Sequence, residues 1–136
     1  MGGVAGLKLL LDTHIWIWSL SNVKLLSKRT MNALQSSLNE LWLSPISIWE
    51  YLVLTQKGRL IPEKAPREWL HEAMQRAPMK EAPLSYEIAI ESRFIDLPHQ
   101  DPADRFLAAT AKILDLTLVT ADERLKHSRD FSVLAN

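Results

Sequence analysis

The hydrophobic residues of this chain fall into short apolar runs that alternate with longer segments of mixed polarity. Residues 7–11 form a nearly continuous apolar run that ends at Asp12. A run of this length predicts a strand that is buried on both faces, as in parallel sheets. Several of the longer segments begin at a capping residue such as Ser27, Ser85 or Asp101, which predicts helices. Strands are predicted at residues 7–11, 41–44, 79–84, 116–120 and 131–134, and helices at residues 13–20, 27–39, 46–56, 66–76, 85–94, 101–114 and 122–126.

Alternating strands and helices predict an α/β fold in which helices cover both faces of a parallel sheet. The chain of 136 residues has the length of one domain, and it contains no internal repeat, linker or low-complexity segment. We therefore predict a single domain over residues 1–136. Residues 1–6 contain three of the four glycines and are predicted to be flexible.

Composition narrows the classes of function. The chain has no cysteine, which excludes disulfides and zinc sites built on thiolates. Its 16 Lys plus Arg balance 16 Asp plus Glu, and a formal net charge of zero argues against strong non-specific binding to nucleic acid. No apolar run has the roughly 20 residues of a membrane helix, and the first residues lack the charge and length of a signal peptide. We expect a cytoplasmic protein that does not contact a membrane.

Acidic residues flank the two clearest predicted strands. Asp12 comes directly after the first strand, and Asp122 comes two residues after the fourth. Asp104 lies in the first turn of the helix that leads into the fourth strand. Because ligands of open α/β sheets bind at the carboxyl ends of the strands, we expect these side chains to reach one edge of the sheet. Taken singly, each has a structural alternative, since all three occur where acids cap or begin helices.

Glu50 lies in the middle of a predicted apolar helix, where a carboxylate cannot cap a helix end. Ile46 and Leu54 lie one turn on either side of it, and Val53 is a further neighbour. Carboxylates are rarely buried without a partner, and an isolated one would stay protonated. A divalent cation shared with the other acids would account for a charged group there. Because the chain offers carboxylate oxygens and no Cys and His set, Mg²⁺ or Mn²⁺ is the expected cofactor.

Four short motifs occur in order along the chain. They are Leu-Leu-Leu-Asp-Thr-His at residues 9–14, Ser-Ile-Trp-Glu at residues 47–50, Asp-Pro-Ala-Asp-Arg-Phe-Leu-Ala-Ala-Thr-Ala at residues 101–111, and Leu-Val-Thr-Ala-Asp at residues 118–122. In this order and at this chain length they resemble the motifs of PIN-domain nucleases, and closely those of the VapC-like toxins of toxin–antitoxin pairs. The resemblance covers residues 7–134, and its strength lies in the order of the motifs because no single one is specific.

The resemblance implies a three-layer α/β/α sandwich with a central parallel sheet of about five strands. It implies Mg²⁺- or Mn²⁺-dependent endonuclease cleavage of RNA, a cognate antitoxin that blocks the toxin, and a homodimer. The positions that match the family's metal-binding and catalytic acids are Asp12, Glu50, Asp104 and Asp122. The positions that match supporting groups near the metal are Asp101, Thr13 and Thr120.

Positive charge occurs in two places that bear on a phosphate substrate. Arg105 follows Asp104 and is predicted either to form a salt bridge with Asp101 or to contact the phosphate. The most basic stretch, residues 57–67, follows the helix that carries Glu50. It either binds phosphate beside the acids or forms a solvated loop.

Large apolar groups lie on more than one side of the short helix predicted at residues 13–20. Trp16 and Trp18 are two positions apart and cannot share one face, so at least one should be core and the other is either core or exposed to a partner. A helix that is apolar nearly all round must be covered on several sides. An antitoxin or a second copy of the chain would supply that cover. Trp42 and Trp49 are predicted to be core.

Three other classes of protein fit part of the pattern. A phosphatase of the haloacid-dehalogenase type also places an Asp after its first strand, but it needs a second Asp where this chain has His14. A receiver domain would need paired acids after the first strand and a Lys after the last, and neither is present. A PIN fold that acts only through protein contacts would have no need of Glu50. The spacing of the histidines indicates neither a ligand pair nor a nucleophile and its base.

Overall fold

A parallel sheet of five strands lies at the centre of the computed structural model, which describes residues 6–136. The strands are β1 (Lys8–Leu11), β2 (Glu40–Leu43), β3 (Lys80–Glu81), β4 (Thr117–Thr120) and β5 (Ser132–Ala135). The helices are α1 (Thr13–Ser21), α2 (Lys28–Gln35), α3 (Pro45–Gln56), α4 (Pro66–Arg76), α5 (Tyr86–Phe94) and α6 (Pro102–Leu114), with 3₁₀ turns at Val23–Leu25 and Glu123–Leu125. The predicted α/β/α sandwich around about five parallel strands is confirmed.

The order of the strands reverses at β1, in the middle of the sheet. The strands lie in the order β3-β2-β1-β4-β5, and every neighbouring pair is parallel. The chain therefore passes from β1 outward to β3 and then returns to β4 on the other side of β1. Connections that leave in opposite directions open a crevice at the carboxyl ends of β1 and β4. Asp12 follows β1 at this crevice, and Asp122 follows β4.

Both faces of the sheet are buried. Leu10 and Leu118 point into one core, which is built largely on α6, whereas Leu9, Leu11 and Val119 point into a second core with α1, α3 and α4. Successive side chains of a strand point to opposite faces. A strand that serves two cores must therefore be apolar at nearly every position, and this accounts for the continuous apolar run of β1.

The second helix ends earlier than predicted. α2 ends at Gln35, and Leu38 is 68% exposed instead of packing one turn after Leu34. The side chain of Asn39 donates a hydrogen bond of 2.9 Å to the carbonyl oxygen of Ala33, which satisfies one of the carbonyl groups left open at the end of the helix. None of the helices within residues 6–136 is both long and apolar enough to cross a membrane.

Two further predictions about the sheet and its surroundings need correction. β3 contains only Lys80 and Glu81, because the nearby Pro78 and Pro83 lack the backbone N–H groups that a longer ladder requires. Trp49 is 52% exposed, so its predicted place in the core is wrong. A helix residue is buried only where another element covers its face, and the sequence does not show which face that is.

Most of the segment predicted to be flexible, residues 1–5, lies outside the described residues. Gly6 is in close contact with the chain that precedes β2. A β-carbon at this position would overlap the carbonyl oxygen of Leu38, so glycine is required by the close approach of the two backbones. The backbone amide of Leu7 also donates a hydrogen bond of 2.9 Å to Asn39 Oδ1.

Leu107 tests the packing of α6 against the sheet. It is fully buried, so Leu107→Ala should lower the free energy of unfolding by about 2–5 kcal/mol through lost packing and an unfilled cavity. Urea denaturation measures this difference. Leu38→Ala, at an exposed position, is the control and should change the free energy by less than about 0.5 kcal/mol. Equal stabilities of the two variants would contradict the described core.

Candidate active site

Five carboxylates line one open pocket at the carboxyl ends of β1 and β4. The pocket has a volume of about 330 Å³. The four acids that the sequence analysis singled out as metal ligands line it, and so does Asp101. The residues that line the pocket are Asp12, His14, Trp18, Glu50, Asp101, Asp104, Ala121, Asp122 and Arg124. The fold thus concentrates negative charge from distant parts of the chain in one place.

Asp12 and Asp122 are connected through the hydroxyl group of Thr120, the last residue of β4. This hydroxyl donates a hydrogen bond of 2.6 Å to Asp12 Oδ2, and the backbone amide of Asp122 donates to the same hydroxyl at 3.0 Å. The backbone amide of Asp12 donates to the carbonyl oxygen of Val119 at 3.0 Å. Asp12 makes no side-chain capping bond to α1, so helix capping does not explain its presence.

Glu50 reaches the pocket from α3, where it is half-buried. Ser47 lies one turn before it and accepts a hydrogen bond of 2.9 Å from the hydroxyl of Thr13, at the start of α1. Both hydroxyl-bearing residues are completely buried. Residues three apart on a helix share a face. The contact between Ser47 and α1 therefore turns Glu50 toward Asp12.

Asp104 is placed by the first turn of α6. Asp101 accepts a hydrogen bond of 3.1 Å from the backbone amide of Asp104, so it caps the helix as predicted. Arg105 does not line the pocket, and the predicted salt bridge to Asp101 or contact with phosphate is wrong. Its buried guanidinium instead satisfies carbonyl groups at the end of α5 and beyond it. The carbonyl oxygens that accept its hydrogen bonds, at 2.7, 2.8 and 3.0 Å, belong to Ser92, Ile95 and His99.

Burial and mutual repulsion disfavour the charged forms of the acids. The pKa of Asp104 rises to about 8, because burial disfavours its charge and four neighbouring carboxylates repel it. Those neighbours are Asp12, Asp101, Asp122 and Glu50. Burial also raises the pKa of Asp12 and of Glu50 above their usual range. A cation among these groups would favour their charged forms, which is the electrostatic condition of a metal site.

Arg124 is a pocket residue that the sequence analysis missed. It lies on the 3₁₀ turn after Asp122, and its Nε and Nη2 atoms donate to Asp122 Oδ1 and Oδ2 at 3.1 and 2.9 Å. Nη2 also lies 3.4 Å from Asp104 Oδ2. Hydrogen bonds from Arg124 hold the pKa of Asp122 below its usual range. The one signal in the sequence is its position two residues after Asp122, and this spacing alone does not direct a side chain into a pocket.

His99 is a second neighbour of the acids that was not predicted. Its Nε2 atom lies 3.6 Å from Asp104 Oδ2, and atoms of His99, Asp104 and Asp122 lie within 4.8 Å of one another. The backbone amide of Asp101 donates to His99 Nδ1 at 3.3 Å. The Nε2 atom is buried and has no hydrogen-bond partner among the described residues. His99 is therefore a candidate nitrogen ligand beside Asp104 and Asp122.

The basic stretch at residues 57–67 lies away from the carboxylates. Residues 60–64 line a separate groove beside α1, α3 and α4, and no residue of the stretch lines the acidic pocket. The interpretation that places it beside the acids is therefore wrong. Trp16 is buried in the core, whereas Trp18 is half-buried and lines the pocket, with its ring 5.8 Å from that of His14.

Comparison with protein families shows to which family the chain belongs. The model of the PIN domain matches residues 9–130, a range that includes every residue lining the acidic pocket. The chain belongs to the PIN domain family. The comparison of this PIN domain with curated proteins found no match.

Solved structures share the fold of this PIN domain at low sequence identity. VapBC2 from Rickettsia felis, bound to a DNA fragment from its promoter, has a TM-score of 0.72 and 16% identity, and the similarity covers 96% of this chain and 99% of that chain. DNA-bound VapBC from Salmonella typhimurium has a TM-score of 0.66 and 19% identity, and the similarity covers 95% of this chain and 98% of that chain. VapBC-5 from Mycobacterium tuberculosis is a member of the VapBC family of toxin–antitoxin systems. It has a TM-score of 0.60 and 16% identity, and the similarity covers 95% of this chain and 98% of that chain.

Asp104 tests the electrostatics of the metal-free pocket. Its pKa is raised from the ordinary value of 3.8 to about 8 in the folded protein, so its ionisation should destabilise the fold progressively as the pH rises from about 4 to about 8. Asp104→Asn cannot ionise and should be more stable than the parent at pH 8 in EDTA, by on the order of 1 kcal/mol. The measurement is thermal unfolding between pH 5 and 8.

The exposed Asp115 supplies the control for this experiment. Asp115 lies at the end of α6 in a left-handed conformation that asparagine also adopts readily, so Asp115→Asn should leave the pH dependence of the parent unchanged. If the melting temperatures of the parent and of Asp104→Asn changed by the same amount between pH 5 and 8, the described effect of burial and repulsion on Asp104 would be contradicted.

Proposed function

We propose that this PIN domain is a divalent-metal-dependent endoribonuclease that acts as the toxin of a toxin–antitoxin pair. The observation that carries the proposal is the convergence of five carboxylates at the crevice between β1 and β4. Membership of the PIN domain family supports a nuclease, and the toxin–antitoxin complexes among structures of the same fold support the toxin role. Cleavage of cellular RNA would place this activity in the cytoplasm.

The proposed cofactor is Mg²⁺ or Mn²⁺. The residues proposed to hold it are Asp12, Glu50, Asp104 and Asp122. They supply only hard oxygen ligands, which both ions accept. The raised pKa of Asp104 supports this fit, because a cation would offset both the burial and the repulsion that raise it. A bound divalent ion would supply an activated water and offset the charge of the scissile phosphate.

Other residues of the chain would hold the proposed ligands in place. The Thr120 hydroxyl fixes one oxygen of Asp12, and the bond between Thr13 and Ser47 keeps α1 against α3. The capping bond from Asp101 to the amide of Asp104 sets the start of α6. We propose a supporting role for these residues, since each acts by orienting another group rather than by contacting the substrate.

Single-stranded or looped RNA is the proposed substrate. Trp18 is half-buried and His14 is exposed at the pocket, and their aromatic rings are available to stack against unpaired bases. Bases in a duplex are already stacked and present no free face. The zero formal net charge adds little non-specific attraction to RNA, so contacts at the pocket would have to supply the affinity.

The remaining alternative is a PIN fold that acts only through protein contacts. The haloacid-dehalogenase alternative loses its support, because the family match is to the PIN domain. A binding module without activity gains nothing from acids that repel one another and disfavour their own ionisation. Binding of Mn²⁺ separates the two functions: a nuclease should bind it through Glu50, and a scaffold has no use for it.

Asp12→Asn should abolish most of the cleavage of a single-stranded RNA while the protein stays folded. A neutral amide is a poor ligand for a hard cation, so activity should fall by two orders of magnitude or more, roughly the loss typical of a key electrostatic group. The assay is gel analysis of a labelled RNA in Mn²⁺ and in EDTA. Calorimetric titration should show that Glu50→Gln, like Asp12→Asn, binds Mn²⁺ more weakly than the parent does.

Asp115→Asn is the matched control, because it makes the same chemical change at an exposed carboxylate outside the pocket. It should cut RNA and bind Mn²⁺ like the parent. If the parent bound no Mn²⁺, or if Asp12→Asn cut as fast as Asp115→Asn, the assignment of this site would be wrong.

A second groove is the proposed binding surface for the antitoxin. It has a volume of about 500 Å³ and lies between α1, α3 and α4. Ile17, Leu20 and Trp69 are among its apolar lining residues, and the rim carries Glu63 and Arg76. An apolar floor with charges of both signs at the rim fits an amphipathic segment of a partner protein. The fold itself buries much of α1, and this groove exposes the side of the helix that faces away from the acidic pocket.

The proposed homodimer would use the outer face of α5. Tyr86, Ile90 and Phe94 are spaced four residues apart and are 91%, 62% and 78% exposed. Residues at this spacing lie along one side of a helix. An apolar stripe of this kind is unusual on a monomer and fits a self-complementary contact between two copies.

Replacing Phe94 tests the dimer. Phe94→Asp should convert a dimeric parent into a monomer, because a charge in the centre of an apolar contact must be desolvated without a partner. The measurement is light scattering during size-exclusion chromatography over a range of concentrations. Leu38→Asp makes the same kind of change at another exposed position and should stay dimeric. A parent that is monomeric at high concentration would rule out this interface.

A further inference from the structure

Arg124 already occupies the place of a cation between two of the proposed metal ligands. It makes a bidentate contact with both oxygens of Asp122 and approaches Asp104 with the same nitrogen that contacts Asp122 Oδ2. A divalent ion bound to Asp122 would need at least one of the oxygens that the guanidinium uses. The ion and the guanidinium would therefore compete for these oxygens, and their positive charges would repel each other at the shared carboxylate.

The structure allows Arg124 to leave these carboxylates without disturbing the fold. Its side chain is 54% exposed. The turn that carries it is held independently, since Leu125 is completely buried and Lys126 pairs with Glu123 at 2.7 Å. Release of the guanidinium would leave it attached at the edge of the pocket, beside the acids that it had occupied.

Arg124 is also the positive side chain best placed to meet a phosphate there. It is the one lysine or arginine among the described residues that line the pocket. Arg105 has its guanidinium committed to three buried or partly buried backbone contacts. An arginine keeps its charge at all relevant pH values and binds phosphate oxygens through two parallel N–H groups.

We propose that Arg124 is an exchangeable cation, which neutralises Asp122 and Asp104 in the metal-free protein and turns to a phosphate of the RNA once a divalent ion takes these acids. This inference rests on the proposed nuclease function and adds to it a residue for substrate binding. The exchange keeps positive charge in the pocket in both states. It also makes tight RNA binding depend on the ion, because RNA and the carboxylates compete for the same guanidinium.

The first test measures the affinity for Mn²⁺ by calorimetry, without RNA. Arg124→Gln removes the competing cation and should bind Mn²⁺ about fivefold more tightly or better, the effect of removing two partly exposed ion pairs. Lys126→Gln removes the same charge from the same turn, but its salt bridge is to Glu123, outside the pocket. Lys126→Gln shows how far the loss of one positive charge near the pocket changes the affinity for Mn²⁺ by itself. It should bind Mn²⁺ nearly as the parent does.

The second test measures cleavage of a short single-stranded RNA in saturating Mn²⁺. Arg124→Gln should raise KM about fivefold or more with a smaller change in kcat, because a phosphate contact is lost while the acids are unchanged. Arg124→Lys keeps the charge and loses the bidentate geometry, so it should recover part of the RNA affinity. Lys126→Gln should keep the parental KM.

The outcomes separate this proposal from the proposed function. A parent that binds no Mn²⁺ overturns the nuclease and the exchange together. A parent that binds Mn²⁺ and cuts RNA, with Arg124→Gln binding the ion no more tightly than Lys126→Gln, overturns the exchange alone. Tighter Mn²⁺ binding with an unchanged KM overturns the phosphate contact. Circular dichroism checks the fold, and Arg124→Met, which also removes the positive charge, carries the calorimetric test should Arg124→Gln unfold.

Discussion

Repulsion between carboxylates is the constraint on which the rest of this structure depends. Asp12, Glu50, Asp104 and Asp122 come from four different segments and repel one another in a pocket of about 330 Å³. The acids do not bring these segments together. The two cores on either face of the sheet do so, because β1 and β4 are buried on both sides and their ends cannot separate without exposing apolar surface. Packing thus holds in place a group of charges that would otherwise disperse.

The protein limits this repulsion with groups of its own. Thr120 donates a hydrogen bond to Asp12, the backbone of Asp104 donates to Asp101, and Arg124 contacts Asp122. Each of these bonds stabilises a charged carboxylate. They differ in permanence, since Thr120 is completely buried whereas Arg124 is largely exposed. That difference is why Thr120 suits an orienting role and Arg124 suits an exchange with a metal ion.

The packing of the fold also decides which apolar side chains stay exposed on the surface of the molecule. The helix at residues 13–20 has the more conspicuous apolar sequence, yet the fold covers Ile15, Trp16 and Ile17 almost completely. The stripe on α5 is less conspicuous in the sequence and remains open to solvent. α1 is packed against α3 and the sheet, whereas α5 packs on α6 by one side only. Exposure thus depends on the neighbours of a helix rather than on its own composition, and the proposed dimer contact lies on α5 for this reason.

The amino-acid sequence by itself determined the features that depend on neighbours along the chain. Ser27, Ser85 and Asp101 start helices through bonds to amides three residues away, and the run before Asp12 forms a strand because both faces are buried. The tertiary structure decided what depends on distant residues. Arg105 meets three carbonyl groups, Arg124 enters the acidic pocket and Trp49 stays exposed because of how separate elements pack. A hydrogen bond between neighbouring residues requires a fixed spacing along the sequence, so the sequence reveals it. A contact between distant elements depends on the order of the strands in the sheet, which the spacing of residues along the sequence does not show.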